Sequence, residues 1–187
     1  MVVDTILFGD CRETLKEFDG KARTCVTSPP YYGLRDYGGE ESQIGQEQTP
    51  EEYIQNLVEV FRSVRDVLTD DGTLWVNIGD SYYNYRPGKG QALPKQTVSK
   101  TKQDLPDKCA KRGNKLEGLK EKDLIGIPWM LAFALRADGW YLRQDIIWHK
   151  PNPMPESVKD RCTKSHEYIF LLSKNRKYYY NNEAIKE

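Results

Sequence analysis

Residues 24–38 read TCVTSPPYYGLRDYG, and this stretch decides how the central sheet is built. Thr24–Thr27 is apolar and β-branched, which is typical of a strand. Pro29 and Pro30 cannot continue a central strand, because proline has no N–H to donate to a neighbouring strand. The strand therefore stops at this point, and a loop begins at its carboxyl end.

This loop is rigid and rich in hydrogen-bond acceptors. Two consecutive prolines restrict two φ angles and remove two donors, so the loop presents carbonyl oxygens between the Ser28 hydroxyl and the Tyr31 ring. Such an edge suits the exocyclic amino group of a nucleobase, because acceptors bind the N–H protons while the aromatic ring stacks on the base. A Pro-Pro turn that merely ends a strand has the same sequence, and the motif alone does not decide between the two interpretations.

Periodicity outside the loop predicts alternating strands and helices. The capping box Thr49-Pro50-Glu51-Glu52 begins a helix whose apolar stripe runs to Leu68, and Asp70-Asp71-Gly72 is expected to end it. The other expected elements are helices at Arg12–Phe18 and Ile127–Asp138 and strands at Asp4–Gly9, Thr24–Thr27, Thr73–Ile78, Tyr141–His149, Glu167–Ser173 and Lys177–Asn181. This order predicts an α/β sheet with an antiparallel edge.

Length and composition exclude several classes of protein. The 187 residues suffice for one domain, and the longest uncharged apolar run, residues 125–135, is shorter than the ~20 residues that a membrane span requires. The N-terminus lacks the basic region and cleavage site of a secretion signal, so we expect a cytoplasmic protein. The four cysteines include no Cys-x-x-Cys pair, which argues against a metal site.

The formal net charge is zero, but the charge is unevenly distributed along the chain. Residues 86–122 hold eleven basic and four acidic side chains, a local net charge of +7. Because residues 81–122 lack helical and strand periodicity, we interpret them as an inserted basic loop. Composition alone leaves open whether this loop is simply solvated or binds an anionic partner.

The segment TSPPY after an apolar strand resembles the catalytic motif of the amino-methylating DNA methyltransferases. These enzymes depend on S-adenosylmethionine and modify cytosine N4 or adenine N6. Three further segments resemble the same family: residues 6–15 (ILFGDCRETL) its N-terminal strand, residues 64–80 the elements beside the catalytic strand, and residues 139–181 its late strands. The order of these segments is that of the permuted subgroup, in which the catalytic motif precedes the cofactor motif.

The resemblance implies a Rossmann-like methyltransferase sheet and direct methyl transfer from S-adenosylmethionine to a flipped base of double-stranded DNA. Residues 1–187 would be the catalytic part of a methyltransferase domain, with residues 81–122 as a candidate target-recognition region. The implied catalytic residues are Ser28, Pro29, Pro30 and Tyr31, and the implied cofactor-binding residues are Asp10, Cys11, Thr27 and Ser28. The implied DNA-binding residues are Arg35, Arg86, Lys108, Lys111, Arg112, Lys115, Lys150, Arg161 and Lys164. No metal is needed for this chemistry.

Several alternatives remain at this stage. Serine before the prolines resembles the cytosine-N4 enzymes more than the Asn or Asp common in adenine-N6 enzymes, so we favour cytosine N4 over adenine N6. Methylation of RNA or of a protein glutamine amide uses a similar loop, usually with Asn before the prolines. A truncated DNA-binding fragment without activity is a further hypothesis, because no glycine-rich loop of the F-x-G-x-G-T type follows an apolar strand.

The resemblance also implies that the sheet is incomplete in these residues. In the family, the strands that correspond to Asp4–Gly9 and Thr24–Thr27 are separated by two strands that carry the cofactor loop, and we do not find them. A homodimer, a complementary C-terminal segment or a rearranged sheet would have to fill the gap, because unpaired strand edges are otherwise exposed. We expect an unpaired or intermolecular edge beside Thr24–Thr27 and weak or no cofactor binding by these residues alone.

Two sets of residues also have purely structural interpretations. Asp10 precedes a predicted helix and is suited to cap it, whether or not it contacts a cofactor. Trp75, Trp129 and Trp148 lie within apolar runs and are expected in the core.

Overall fold

The structure is a computed structural model and describes residues 6–36, 43–83, 96–97 and 116–186. The chain divides into two compact units. The first unit comprises Met1–Ser28, Val58–Asn77 and Ala132–Glu187, and the second comprises Pro29–Leu57 and Ile78–Leu131.

In the described residues, each of three helices is followed along the chain by two strands, and a 3-10 turn comes last. The helices are α1 (Cys11–Glu17), α2 (Pro50–Val67) and α3 (Ile127–Ala137), and the 3-10 turn is Glu183–Ile185. The strands are β1 (Ala22–Thr27), β2 (Arg35–Asp36), β3 (Leu68–Ile78), β4 (Gln96–Thr97), β5 (Tyr141–His149) and β6 (His166–Ser173).

Four of the strands form a mixed sheet in the order β1-β3-β6-β5. Strand β1 is parallel to β3, and β5 is antiparallel to β6. Lys174 N donates to Gly72 O, whereas Asn77 Nδ2 donates to the Glu167 carboxylate, so β6 runs opposite to β3. The predicted α/β sheet with an antiparallel edge is therefore confirmed.

Helix α2 begins where its capping box predicts. Glu52 N donates to Thr49 Oγ1 over 3.1 Å, and Thr49 N donates to Glu52 Oε2 over 3.3 Å, so two backbone donors of the first turn are satisfied reciprocally. The predicted apolar stripe is buried, with Tyr53, Leu57 and Phe61 among its members. The capping box thus accounts for where this helix begins.

The predicted first strand, Asp4–Gly9, is wrong for the residues that the structure describes. Ile6–Gly9 have no strand pairing, and Asp4 and Thr5 lie outside the described residues. The Phe8 side chain is 88% exposed. An apolar run forms a strand only where a neighbouring strand completes its hydrogen bonds, and among the described residues none does so for this run.

Helix α2 ends at Val67, just before Asp70-Asp71-Gly72, but the expected start of the next strand at Thr73 is wrong, because β3 begins at Leu68 and includes these three residues as an irregular extension. Ala22 of β1 lies opposite Leu68, whereas Thr24 lies opposite Thr73, so three extra residues of β3 are accommodated by a bulge. A Cβ at Gly72 would lie 2.8 Å from the Thr69 carbonyl oxygen, so the bulge requires glycine.

The expected strand at Lys177–Asn181 does not form either. Tyr179 N donates to the Asp71 carbonyl oxygen over 2.9 Å, but the segment has no strand ladder in the described part of the chain. Trp148 is 51% exposed and therefore lies outside the core, contrary to expectation. The buried indole is instead that of Trp140.

Strand β1 lies at one end of the four-stranded sheet, and within the described residues it pairs with β3 alone. Among the described residues, the edge beside Thr24–Thr27 is therefore unpaired, and whether another strand pairs with it stays a prediction. Val26 on this strand is 75% exposed. Among the described residues, no helix is both long enough and apolar enough to cross a membrane.

Candidate active site

The loop at the carboxyl end of β1 is the centre of the candidate site. Strand β1 ends at Thr27, immediately before Ser28-Pro29-Pro30, as the missing proline N–H groups predict. Ser28 is exposed at this strand end. The sequence therefore located both the loop and its position at the end of a strand correctly.

Three successive carbonyl groups of the loop accept hydrogen bonds from the protein. Tyr53 Oη donates to Pro30 O over 2.8 Å, Leu34 N donates to Tyr31 O over 3.2 Å, and Ser81 Oγ donates to Tyr32 O over 2.9 Å. Among the described residues, no donor reaches the carbonyl oxygen of Pro29. The loop is thus held by hydrogen bonds to three of its carbonyl groups.

The Tyr31 ring lies against the backbone of Gly79. A Cβ placed at Gly79 would be 2.6 Å from Tyr31 Cε2, which is closer than non-bonded carbon atoms approach. Gly79 directly follows the last residue of β3, so the end of that strand forms a flat surface for the aromatic ring. Glycine is required here by the close approach of the ring to the main chain.

A second glycine supports the loop on the side of its carbonyl groups. Gly45 has a φ of +98°, and its carbonyl oxygen accepts from Gly33 N over 2.8 Å. A Cβ at Gly45 would lie 3.2 Å from Tyr31 O and 3.3 Å from Pro30 Cβ. Any side chain at this position would therefore crowd the Pro-Pro-Tyr backbone as well as strain its own.

Asp80 connects the end of β3 to the first turn of α3. Its carboxylate accepts from Ser81 N over 2.9 Å and from Gly126 N and Ile127 N over 3.0 Å each. The N–H groups of Gly126 and Ile127 lie at the start of α3 and have no intrahelical acceptor, and a carboxylate beside a helix N-terminus is also favoured by the helix dipole. The segment that carries Gly79 is consequently fixed at both ends.

Tyr32 of the loop packs against the buried Tyr53 of α2. The rings of Tyr32 and Tyr53 have their centroids 5.4 Å apart. Burial, with a further contribution from the Glu47 carboxylate, raises the pKa of Tyr32 to about 12 and raises the pKa of Tyr53 as well. Both hydroxyl groups are therefore protonated at neutral pH and can act as donors.

The sequence missed five residues that support this site: Gly79, Asp80, Ser81, Tyr53 and Gly45. A signal for the first two was present, because Gly-Asp directly follows a buried strand at residues 78–80. The serine and the tyrosine had no such signal, because they contact the loop through side-chain hydroxyl groups from segments distant in sequence.

The expected cofactor residues lie in the first unit. The Asp10 carboxylate caps α1 by accepting from Arg12 N over 2.9 Å, and it also accepts from Arg12 Nε over 3.0 Å. These bonds with Arg12 lower the pKa of Asp10 to about 2, so its carboxylate is ionised at neutral pH. The structural role suggested for Asp10 is confirmed, while cofactor contact by Asp10, Cys11, Thr27 or Ser28 stays a prediction.

The expected DNA-binding residues fall into two groups. Lys150 forms an ion pair with Glu167, and Arg161 forms one with Glu156, in the loop that follows β5. Lys164 N donates to Glu156 Oε1 over 3.5 Å in the same loop. The main chain of Arg35 pairs with Gln96 in the small β2-β4 sheet, and its side chain lies outside the described residues, as do Arg86, Lys108, Lys111, Arg112 and Lys115. DNA contact by any of them stays a prediction.

A family model described as DNA methylase matches residues 22–187. Type II methyltransferase M.SmaI of Serratia marcescens is 55% identical over 188 residues, which cover 97% of this chain and 60% of that protein. Type II methyltransferase M.Cfr9I of Citrobacter freundii is 53% identical over 184 residues, which cover 98% of this chain and 58% of that protein.

Solved structures share the fold. The PvuII DNA methyltransferase (cytosine-N4-specific) superimposes with a TM-score of 0.57 at 16% identity, over 91% of this chain and 49% of its own. A DNA modification methylase of Thermus thermophilus, solved in complex with S-adenosyl-L-methionine, superimposes with a TM-score of 0.57 at 21% identity, over 94% of this chain and 55% of its own.

The fold is that of a Rossmann-like methyltransferase, with its Pro-Pro-Tyr loop at the end of a parallel strand. The chain belongs to the DNA methylase family of N6 and N4 amino-methyltransferases, an enzyme family that depends on S-adenosylmethionine. It spans 58–60% of the length of these two curated relatives. The resemblance stated from the TSPPY segment is thereby confirmed.

Proposed function

We propose that this chain carries the base-modifying site of a cytoplasmic Type II DNA methyltransferase. The enzyme transfers a methyl group from S-adenosylmethionine to the exocyclic amino group of a flipped base, with cytosine N4 favoured over adenine N6. The two curated relatives are named Type II methyltransferases, and one structural neighbour is named cytosine-N4-specific.

The main support for this proposal is the pattern of hydrogen bonds to the carbonyl groups of the loop. The carbonyl groups of Pro30, Tyr31 and Tyr32 already accept hydrogen bonds, whereas no donor among the described residues reaches the Pro29 carbonyl beside Ser28. An exocyclic amine is a weak nucleophile, since its lone pair is conjugated with the ring. Acceptors at its two protons favour a more pyramidal nitrogen, and we assign this role to the Pro29 carbonyl and the Ser28 hydroxyl.

The Tyr31 ring supplies the second part of the site. A base turned out of the duplex needs a flat apolar partner, and Gly79 holds this ring against the end of β3. Stacking on an aromatic side chain contributes about 1–3 kcal/mol per base. The ring and the acceptors together orient the amine, and orientation is a large part of the rate enhancement in a direct transfer.

The first unit offers a residue that fits the methyl donor. Asp10 is ionised, and its side chain is 39% exposed although it is paired with Arg12, so its carboxylate suits the ammonium or ribose hydroxyl groups of the donor. S-adenosylmethionine supplies an electrophilic methyl group on a sulfonium. The chain's own residues hold the acceptor amine, and its released proton passes to solvent or to a neighbouring acceptor.

The loop between β5 and β6 is proposed as a DNA contact. Residues 150–165 hold four basic and two acidic side chains, and Lys150 N donates to Ser165 O over 2.7 Å where the loop closes. Phosphate contacts make affinity fall steeply with salt concentration. Exchanging Lys159 and Lys164 for Gln should reduce the salt slope of DNA binding by about one to two units, and an unchanged slope would remove these residues from the interface.

We propose that the exposed edge of β1 pairs with a further strand, which comes from a second copy of the chain or from a C-terminal segment. Sedimentation of the 187 residues alone should then show self-association. A longer chain that includes the C-terminal segment should sediment as a monomer. Calorimetry on a monomer of these residues alone should detect no micromolar binding of S-adenosylmethionine. Micromolar binding by that monomer would show that the edge needs no partner for cofactor binding.

The reaction is tested with the full-length protein, labelled S-adenosylmethionine and duplexes of defined sequence. Digestion of the methylated DNA to nucleosides, followed by mass spectrometry, should yield N4-methylcytosine. Detection of N6-methyladenine instead would show that adenine N6 is the methylated position. The absence of any methylated nucleoside would contradict the proposed function.

The site is tested by Ser28→Ala. We expect methyl transfer to slow by about 10²-fold or more while DNA affinity stays within about twofold, because the hydroxyl acts on the reacting amine. Ser63→Ala is a matched control, since the Ser63 hydroxyl bonds within α2 to Glu59 O over 3.5 Å. Wild-type turnover by Ser28→Ala would show that the hydroxyl has no part in transfer.

A further inference from the structure

The hydroxyl group of the buried Tyr53 donates a hydrogen bond to the loop. Tyr53 is 0% exposed, and its Oη lies 2.8 Å from the carbonyl oxygen of Pro30. A buried hydroxyl without a partner is costly, so this hydrogen bond and the burial of the ring are mutually dependent. Tyr53 lies in the first turn of α2, whose capping box fixes the position of the helix start.

The Pro-Pro sequence explains why an external donor matters. Neither Pro29 nor Pro30 has an N–H, so these residues cannot fix their own peptide planes by donating hydrogen bonds. The proline ring fixes φ of Pro30, and the peptide bonds on either side are planar. The soft torsion that remains between the carbonyl groups of Pro29 and Pro30 is therefore ψ of Pro30.

Holding the Pro30 carbonyl consequently restrains the direction of the Pro29 carbonyl. Tyr53 Oη holds one peptide plane, and ring closure at Pro30 limits how far the preceding plane can rotate. The next carbonyl, of Tyr31, is held separately by Leu34 N. Of the two bonds, the one from Tyr53 is nearer in the chain to the acceptor that the proposed function assigns to the amine.

We propose that Tyr53 is a positioning residue for methyl transfer, which aims the Pro29 carbonyl at the acceptor amine through its hydrogen bond to Pro30. This inference rests on the proposed function of the loop. Tyr53 does not touch the base. Its hydroxyl removes a rotation that would otherwise let the acceptor carbonyl turn away from the amine.

The test compares Tyr53→Phe with the full-length wild-type protein in single-turnover methyl transfer at saturating DNA and cofactor. Phenylalanine keeps the buried ring and its packing with Tyr32 but removes the donor to Pro30. Because small misplacements of a reacting group reduce rates strongly, we expect the rate constant to fall by about 10-fold. The reaction amplitude and the Kd for DNA should stay within about twofold of wild type.

A purely structural role would give a different pattern. If Tyr53 only stabilised the fold, the fraction of active enzyme and thus the amplitude would fall, whereas the rate constant would be unchanged. Tyr83→Phe controls for destabilisation, because Tyr83 is also a buried tyrosine and its hydroxyl accepts from Leu116 N over 3.0 Å. We expect this variant to lower the melting temperature yet to keep the wild-type rate constant.

Two outcomes overturn the inference. A wild-type rate constant in Tyr53→Phe, or a loss confined to the amplitude, would show that the hydroxyl does not position the acceptor. Ser28→Ala, measured in parallel, separates this failure from failure of the proposed function. If Ser28→Ala is slow and Tyr53→Phe is not, only the role of Tyr53 is wrong; if wild type transfers no methyl group, both are wrong.

Discussion

Two segments of this chain have a similar sequence pattern, but only one of them forms a strand. Ile6–Asp10 reads ILFGD, and residues 76–80 read VNIGD, so each is an apolar run closed by Gly-Asp. The residue before the glycine is 88% exposed in the first case (Phe8) and 0% exposed in the second (Ile78). The difference shows that an apolar run followed by Gly-Asp does not by itself define a strand.

The two aspartates differ in the same way. Asp10 accepts from Arg12, two residues away, and caps a helix of seven residues that has no buried side chain. Asp80 accepts from Gly126 and Ile127, more than 45 residues away, and thereby joins the end of β3 to α3. The first carboxylate stabilises a local turn, and the second stabilises the tertiary structure around the Tyr31 ring.

The largest contrast is expected from truncating the apolar residue before each glycine. Ile78→Ala should cost about 2–4 kcal/mol of unfolding free energy, because it removes buried methylene groups and leaves a cavity. Phe8→Ala should change the unfolding free energy by less than about 0.5 kcal/mol, since the ring is 88% exposed. Urea denaturation measures both, and equal losses would show that Phe8 is buried in the folded protein.

The next contrast concerns the carboxylates. Asp80→Ala should destabilise the protein by about 2 kcal/mol, because backbone N–H groups at the start of α3 lose a charged acceptor. Asp10→Ala removes a cap from a short exposed helix and should cost about 0.5–1 kcal/mol. Urea denaturation of the two variants measures both losses of unfolding free energy. A greater loss in Asp10→Ala than in Asp80→Ala would contradict the expected order.

The glycines give a contrast in function rather than in stability. Gly79→Ala places a Cβ 2.6 Å from the Tyr31 ring, so we expect the ring to shift and the single-turnover rate constant to fall by roughly 10-fold, equivalent to about 1.4 kcal/mol. Gly9→Ala meets Thr14 Cγ2 at 3.2 Å and strains a φ of +129°. It should lower stability but not the rate constant at saturating substrates, and equal rate losses would contradict the assigned role of Gly79.

The smallest expected effect is the pH dependence of the Asp10 contribution. Its pKa is lowered from 3.8 to about 2 by the hydrogen bonds with Arg12, so the folded state favours the ionised form. The resulting stabilisation is fully present above about pH 4 and is lost as the pH falls toward 2. The stability difference between wild type and Asp10→Asn, which keeps a capping side chain, should shrink over this interval; a constant difference would exclude the Arg12 pairing as its source.

Much of the fold was predictable because local chemistry dominates at particular positions. The capping box at Thr49 and Glu52 places the start of α2, and the prolines after Ser28 end β1. The lack of strand pairing at Ile6–Phe8 among the described residues and the bulge at Asp70–Gly72 were not predictable, since a strand is stabilised by a neighbouring strand that local periodicity does not identify. The prediction that Trp148 is buried was wrong for a related reason, because its strand β5 lies at the end of the sheet.

The sequence by itself determined that β1 ends before two prolines, that the loop is rich in acceptors, and that Ser28, Pro29 and Tyr31 follow one another along it, because these properties depend on backbone chemistry within a few residues. Only the tertiary structure decided which carbonyl groups are already occupied. Tyr53 is 23 residues from Pro30, and Asp80 is 47 residues from Ile127. A hydrogen bond over such separations depends on how the chain packs, and periodicity in the sequence carries no information about it.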